Sequence, residues 1–244
     1  WSQKTQDHHV FKQWFQVGIQ TVLSSGKEDT IRSLRINIVP FTKLTTSHGG
    51  KLTGIRYLPT DLRPQSRGNL NYGATVNAIG FLYQSETPMI GEYSEEERAR
   101  FVKFAQIAVD VIGLRYANLT GNSHFVGGQV GALQAIGGLG WNISKPTSLR
   151  LSLGARAETA LGAAPGSFKF VALGEAEFFS RLELILNTSY MRISTFADLG
   201  YYTFKNFQFG STTKTENITP HNSDDQQPLY SPSKFFFLGI NGSF

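Results

Sequence analysis

The chain has 244 residues, of which 40% are hydrophobic and only 17% charged, and its formal net charge is +5. It has no cysteine, which excludes disulfides, thiolate metal sites and a cysteine nucleophile, and its length suits one large β domain or two small ones. The charge indicates a surface or lumen slightly rich in Lys and Arg, with attraction to an anionic lipid or solute as the alternative, and nucleic-acid binding is not expected.

No run approaches the roughly 18 apolar residues that a membrane-spanning helix needs. Residues 1–13 are polar and predict a lead-in segment. From Trp14 onwards apolar residues alternate with polar ones, first in Phe15–Leu23 and then in the return run, where Arg35 and Asn37 lie on the polar face. Because strand side chains alternate with period two, the two runs predict a β-hairpin.

The next region predicts a short strand at 52–58, a polar, turn-rich stretch at 59–68 and a longer strand at 69–83. On that longer strand, Asn71 and Asn77 share the polar face with Gly and Thr. Strands with one apolar and one polar face are typical of a sheet that separates two environments.

Residues 84–100 predict a long loop that ends in one turn of helix. A strand near 104–116 follows, with Asp110 on its polar face, and residues 125–143 form a Gly-rich strand. Glycine is tolerated there if neighbouring strands hold the backbone, and it permits strong curvature.

The clearest alternation comes after residue 148, where Leu and Ala face one way and charged residues the other. A turn at 162–166 would set Glu158 opposite Lys169 and Arg150 opposite Glu177 on the returning strand. Such cross-strand pairs stabilise a sheet by about 0.2–1 kcal/mol each.

A strand follows with Leu182, Leu184 and Leu186 on one face, and a less regular one spans 199–209. Residues 210–234 form a long polar loop, and the last run, 235–244, has an apolar face and a small, polar face. The apolar residues of that last strand are Phe236, Leu238, Ile240 and Phe244.

This final strand ending in Phe resembles the C-terminal strand of bacterial outer-membrane β-barrel proteins, a broad class rather than one family. The resemblance implies a Gram-negative outer-membrane location, multi-pass insertion by strands, and contact with the lipid bilayer, lipopolysaccharide and the barrel-assembly machinery. It also implies that Gly210–Lys234 lies on the outer side if the C-terminus is periplasmic.

We therefore predict one all-β domain over 14–244: a single closed antiparallel transmembrane barrel of about twelve strands, with ten as the alternative. The first and last strands should pair to close it. A soluble β-sandwich or lipocalin-like barrel is the competing interpretation, because it also shows alternation. Apolar rows of Leu and Phe, and aromatic residues near strand ends, favour the membrane barrel.

In that barrel the apolar rows face lipid and the polar rows line the lumen. The lipid-facing residues of the last strand are Phe236, Leu238, Ile240 and Phe244. The predicted lumen residues are Arg35, Asn37, Asn71, Asn77, Asp110, Arg150, Arg156, Glu158, Lys169, Glu175, Glu177 and Glu183.

Three functions fit this pattern. The first is a small porin-like channel that transports polar or anionic solutes past the inward Arg, Glu and Asn side chains. The second is a non-conducting structural barrel that anchors or scaffolds other outer-membrane or periplasmic proteins through its loops. The third is a lipid-modifying hydrolase, for which His48 and His124 beside serines are the best candidates, although no orienting acid can be assigned. No cofactor and no metal site are expected.

Overall fold

The computed structural model describes residues 9–23, 30–47, 51–67, 72–89, 100–119, 123–163, 170–188, 190–209 and 233–244. These residues form eleven β-strands in one sheet. The strands are β1 His9–Leu23, β2 Thr30–Ser47, β3 Lys51–Tyr57, β4 Thr60–Arg67, β5 Tyr72–Pro88, β6 Phe101–Leu119, β7 Ser123–Asn142, β8 Thr147–Ala163, β9 Phe170–Asn187, β10 Arg192–Phe209 and β11 Ser233–Ser243.

The sheet closes on itself, with every strand antiparallel to its neighbours. β1 pairs with β2 on one side and with β11 on the other, as predicted. β3 and β4 lie end to end between β2 and β5, and both strands pair with both neighbours. The eleven strands therefore fill ten positions around the barrel. The predicted number of twelve strands is therefore wrong, and the alternative prediction of ten is confirmed.

Alternation places apolar side chains outside and charged ones inside. On β8, Leu151 and Leu153 are 61% and 72% exposed, whereas the intervening Ser152 is 4% exposed. All acidic side chains that the structure describes point inwards: Asp61, Glu86, Asp110, Glu158, Glu175, Glu177, Glu183 and Asp198.

This distribution is the reverse of a soluble barrel, whose charges face water. The described residues contain no helix suited to crossing a membrane. The resemblance to outer-membrane β-barrels is confirmed at the level of the fold: a closed antiparallel barrel with an oily exterior and a charged interior.

Aromatic side chains collect on the outside at one end of the barrel, the end of Trp141 and Ser243, which we call the near rim. Phe15 stacks on Phe244 with ring centroids 5.8 Å apart, and Phe101 stacks on Trp141 at 6.3 Å. The opposite end, the far rim, carries Leu23 and Lys234, which are paired with each other. Aromatic rings at such a level suit the boundary between lipid and water.

A line of one-residue irregularities crosses the wall diagonally, from the near-rim end of β1 and β2 to the far-rim half of β7. The register shifts between Lys12 and Trp14 and again between Gln129 and Gly131. Leu58 and Ile112 on this line have positive φ angles of 51° and 50°. Positive φ is uncommon for non-glycine residues, above all a β-branched one, and such bulges bend a strand. A strand that carries the extra residue exchanges its inward and outward positions there, because side chains alternate with period two. At the first shift that strand is β2, where Val39 and Thr42 both face the lumen.

Several sequence-based boundaries differ from the structure. β1 begins at His9, so part of the expected lead-in is strand, and residues 1–8 lie outside the described residues. The expected turn-rich stretch at 59–68 contains β4. Leu58 and Pro59 separate β3 from β4 on the irregular line. Because a proline at a break in a strand is also typical of a turn, the local sequence predicts a turn there. The helical turn and most of the loop at 84–100 fall outside the described residues, but β5 extends to Pro88.

The register of β8 and β9 was also predicted incorrectly. β8 continues to Ala163, and Glu158 lies opposite Glu175 while Arg150 lies opposite Glu183. The hairpin closes further along the chain than the Gly-Ala-Ala-Pro-Gly segment suggested. Because the displacement is an even number of residues, every side chain keeps its predicted face.

Closure by β1 and β11 predicts a cross-link. In the variant V17C/I240C, the two cysteines replace directly opposed, outward residues. Directly opposed residues have Cβ atoms about 4.5–5.5 Å apart, close to disulfide geometry. We expect an intramolecular disulfide after mild oxidation, seen as a mass loss or a gel shift. The matched variant V17C/L184C, with its second cysteine on β9, should stay reduced; equal cross-linking of the two variants would contradict closure.

The β8–β9 register can be tested in the same way. L151C/L182C joins residues that the structure sets opposite each other. L151C/A176C joins residues that would be opposite each other in the register expected from the sequence. In the structure, Ala176 lies about 20 Å along β9 from Leu182, the residue that faces Leu151. Only the first variant should oxidise within the folded protein. Preferential oxidation of the second would restore the sequence-based register.

Candidate functional site: the barrel interior

The structure places most of the predicted lumen residues inside the barrel. Asn71 and Lys169 lie outside the described residues. The predicted lipid-facing residues Phe236, Leu238, Ile240 and Phe244 are 37–54% exposed on the outer surface. The buried lumen residues are Arg35, Asn77, Arg150, Arg156, Glu158, Glu175 and Glu177, and the half-buried ones are Asn37, Asp110 and Glu183.

An ion-pair layer, formed by Arg35, Arg115, Arg156 and the acids Asp61, Glu158, Glu175 and Glu177, crosses the middle of the lumen. Arg35 Nη1 lies 2.7 Å from Glu177 Oε1, and Arg35 Nη2 lies 2.8 Å from Asp61 Oδ2. Arg156 donates to the other Glu177 oxygen at 2.6 Å, and Gln20 Nε2 donates to Glu177 Oε1 at 3.0 Å. Glu177 thus accepts hydrogen bonds from three strands.

The layer spans the full width of the barrel. Arg35 Nη2 on β2 is 3.5 Å from Glu158 Oε1 on β8, and these strands are diametrically opposite in the ring of ten positions. The side chain of Arg35 is 1% exposed and that of Glu177 4%. Because these buried side chains meet between opposite walls, protein atoms occupy the lumen at the level of the ion-pair layer.

Glu158 and Glu175 face each other directly across β8 and β9, an arrangement that is unfavourable for two like charges. Arg115 on β6 offsets the repulsion. Its Nη2 contacts Glu175 and its Nη1 lies 3.6 Å from Glu158 Oε2. Arg115, 4% exposed, therefore holds two carboxylates at once.

Sequence reasoning did not find Arg115, because an alternation continued from Asp110 would point it outwards. The irregularity at Ile112 reverses the phase between these two residues. Arg181 and Asp198 were also missed, although unbroken alternation from Glu177 would have placed Arg181 inside. They form a bidentate pair at 2.7 and 2.8 Å.

An apolar cluster packs inside the lumen, mostly between the ion-pair layer and the far rim, and reaches past the layer to Ile136 on the near-rim side. Phe125, Ala160 and Leu173 are completely buried there. Phe179 and Phe235 meet edge to face with centroids 6.5 Å apart. Other members of the cluster are Val22, Ile136, Phe196, Tyr202 and Phe237.

Glycines on neighbouring strands make room for the lumen rings. A Cβ atom at Gly154 would lie 2.5 Å from Cζ of Phe179, and one at Gly239 would lie 2.7 Å from Cζ of Phe196. Side chains at these positions would displace the rings. The Gly-rich composition of the strands therefore serves interior packing as well as curvature.

Between the ion-pair layer and the near rim, the lumen holds a cavity of about 260 Å³, which we call the vestibule. Its lining includes Trp14, Phe104, Arg150, Glu183 and Asn241. A second cavity, of about 50 Å³, lies beside Arg35 and Asp61 and has room for water only.

The described residues contain no cluster of His, Asp and Glu arranged to hold a metal ion. The hydrolase hypothesis is untested, because His48 lies outside the described residues and the side chain of His124 is not described.

The ion-pair layer should be the most sensitive part of the interior. E177A leaves Arg35 and Arg156 buried without their shared carboxylate, which we expect to lower the free energy of unfolding by about 3–5 kcal/mol. E86A removes the partner of Arg150 in a pair whose Glu side chain is 36% exposed, and should cost below about 1 kcal/mol. Urea unfolding in phospholipid vesicles measures both. Equal losses would contradict the special role of Glu177.

No protein-family model and no curated protein matches this chain. Among solved structures, the chain is similar to a mutant of the Rh. blastica porin (10% identity, TM-score 0.20, covering 97% of this chain and 100% of that one). It is also similar to the anion-selective porin from Comamonas acidovorans (10%, 0.22, 98% and 100%) and to OmpT, an outer-membrane protein of Vibrio cholerae (10%, 0.20, 100% and 100%). Likenesses this weak carry no argument, so the fold rests on the barrel itself.

Proposed function

We propose that this chain is an outer-membrane β-barrel with a closed lumen, which acts as a non-conducting membrane anchor. The observation that carries the proposal is the contact of Arg35 with Glu158 on the opposite wall and with Glu177. An open pore needs a continuous path of water, and side chains occupy the lumen at this level.

The energetics favour a permanent closure. Separating a buried carboxylate from its guanidinium partners leaves uncompensated charges, at about 3–5 kcal/mol for each broken pair. Opening the lumen would disturb contacts of Arg35, Arg115 and Arg156 together. Behind them, a solute would still meet the buried rings of Phe125 and Phe235.

The outer-membrane location is supported by the apolar exterior and by the near-rim aromatic stacks. Exposed cations on the outside near this rim, Lys103 and Lys145 among them, could reach anionic lipid headgroups. The lipid bilayer, lipopolysaccharide and assembly machinery remain proposed partners. The loops expected to hold other proteins, 84–100 and 210–234, lie mostly outside the described residues.

A channel for polar or anionic solutes is the second candidate, and the vestibule favours it. The vestibule is preformed and is lined by Lys12, Arg56, Arg150, Arg181 and Arg192 against two acids, Glu86 and Glu183. A solute could enter from the near rim, but it would cross only if the ion-pair layer rearranged.

The two candidates differ in conductance. In planar bilayers we expect the folded protein to insert without discrete current steps, because the ion-pair layer and the apolar cluster block the lumen. Heat-modified gel migration in detergent, with boiled and unboiled samples compared, establishes that the inserted protein is a folded barrel.

A variant with an emptied interior serves as the positive control. F125A/L173A/F235A removes rings and an aliphatic chain from the apolar cluster, and R35S removes the contact between opposite walls. A folded protein that combines these changes should conduct. Regular conductance steps from the unaltered protein would reject the closed barrel in favour of the channel.

A further inference from the structure

The vestibule has two chemically different walls. The apolar side chains that line it all come from strands β1 to β7, among them Trp14, Leu44, Leu52, Leu82, Phe104 and Ile136. Strands β8 to β11 contribute polar side chains instead, such as Arg150, Ser194 and Asn241. Polar groups such as Gln84 and Gln106 also lie on the first side, near the rim.

Two polar atoms of the second wall have no hydrogen-bond partner among the described atoms: Arg150 Nε and Asn241 Oδ1. Arg150 is 9% exposed and Asn241 8%. A buried donor without a partner is unfavourable, by about 1–3 kcal/mol or more when charged. Both atoms belong to residues that line the vestibule, so this wall has a donor and an acceptor whose hydrogen bonds the described protein atoms do not complete.

The rest of the wall is already held in place. Asn241 Nδ2 donates to Glu183 Oε1 at 3.1 Å, and Ser194 Oγ donates to the same oxygen at 2.5 Å. Arg150 Nη2 donates to Glu86 Oε2 at 2.6 Å, and its guanidinium carbon lies 4.4 Å from the ring centre of Phe104. The guanidinium is thus fixed between a carboxylate and an aromatic face, which preorganises it for a ligand.

The charges around the vestibule favour an anion. Lys12, Arg56, Arg150, Arg181 and Arg192 line it with Glu86 and Glu183, while Asp110 pairs with Arg56 and Asp198 with Arg181 from beneath. Counting those two acids as well, the cations still exceed the acids by one. The cavity of about 260 Å³ is large enough for a compact organic molecule.

We propose that the vestibule is a binding site for a small amphipathic anion. Its carboxylate or other acidic group accepts a hydrogen bond from the Arg150 guanidinium, and its apolar body packs against Leu44, Leu82 and Phe104. The site is a pocket above the ion-pair layer and needs no passage through the barrel. The anion-binding site and the closed lumen are therefore independent proposals, and the failure of one does not decide the other.

The test uses the full chain in phosphatidylcholine nanodiscs, with 4-phenylbutyrate as the probe and 4-phenylbutylamine as its charge-reversed counterpart. Isothermal titration calorimetry, corrected with empty nanodiscs, should show the anion binding about tenfold or more tightly than the amine, since a charge-assisted hydrogen bond contributes that much. Equal binding of the two probes, or no binding of the anion, would overturn the proposal without any variant.

Matched variants then locate the site. R150M removes the guanidinium and should weaken phenylbutyrate binding about tenfold. K103M changes the net charge by the same amount on the outer surface beside Phe104 and should leave affinity within about twofold. Heat-modified migration confirms that both variants fold. Unchanged affinity in R150M, or an equal loss in K103M, would place the anion elsewhere and reject the site.

Trp14 gives an independent readout, because it lines the vestibule. In a W1F/W141F background it is the remaining tryptophan of the three in the chain. A brominated probe, 4-(4-bromophenyl)butyrate, should quench Trp14 fluorescence with the same saturation curve as the calorimetry. Calorimetric binding without quenching would show that the anion sits outside the vestibule.

Discussion

The mutual neutralisation of buried charges is the interaction on which the rest of this barrel depends. Strand alternation turns every described acidic side chain inwards, where burial is unfavourable unless each charge has a partner. Glu177 and Arg35 solve this problem together, since each contacts partners on several strands. The contacts that neutralise the charges also join opposite walls, so the same interactions fold the barrel and close it.

The irregular line from β1 to β7 is the second constraint, because it decides which charges meet. Without the phase change at Ile112, Asp110 and Arg115 could not both point inwards from β6. Without the break at Leu58, Arg56 and Asp61 could not both do so from adjoining strands. The irregularities therefore let the same strands supply inward charges both to the Arg56–Asp110 pair and to the ion-pair layer.

Much of this arrangement could be predicted from periodicity alone. The outward rows of β8 and β11 and the inward acids of β9 follow from period-two alternation. The pairing of the first and last strands follows from closing the sheet into a barrel. Periodicity failed where a strand changed phase, so β4 was read as a turn and Arg115 was not found. Periodicity also could not predict that Glu158 faces Glu175. The register of two strands depends on where the turn between them closes, and a shift by an even number of residues leaves the alternation unchanged. That the lumen is closed depends on long side chains meeting across the barrel, which no local pattern encodes.

The ion-pair layer separates the vestibule from the interior beyond it. Thiol accessibility tests this most directly, since the chain has no cysteine of its own. Gln84 lines the vestibule, and Ala160 is fully buried in the apolar cluster. In nanodiscs, we expect a small charged methanethiosulfonate to modify Q84C within minutes and to leave A160C unmodified, as measured by intact mass. Comparable modification of both cysteines in the folded protein would show that water fills the interior beyond the vestibule and would contradict the closed barrel.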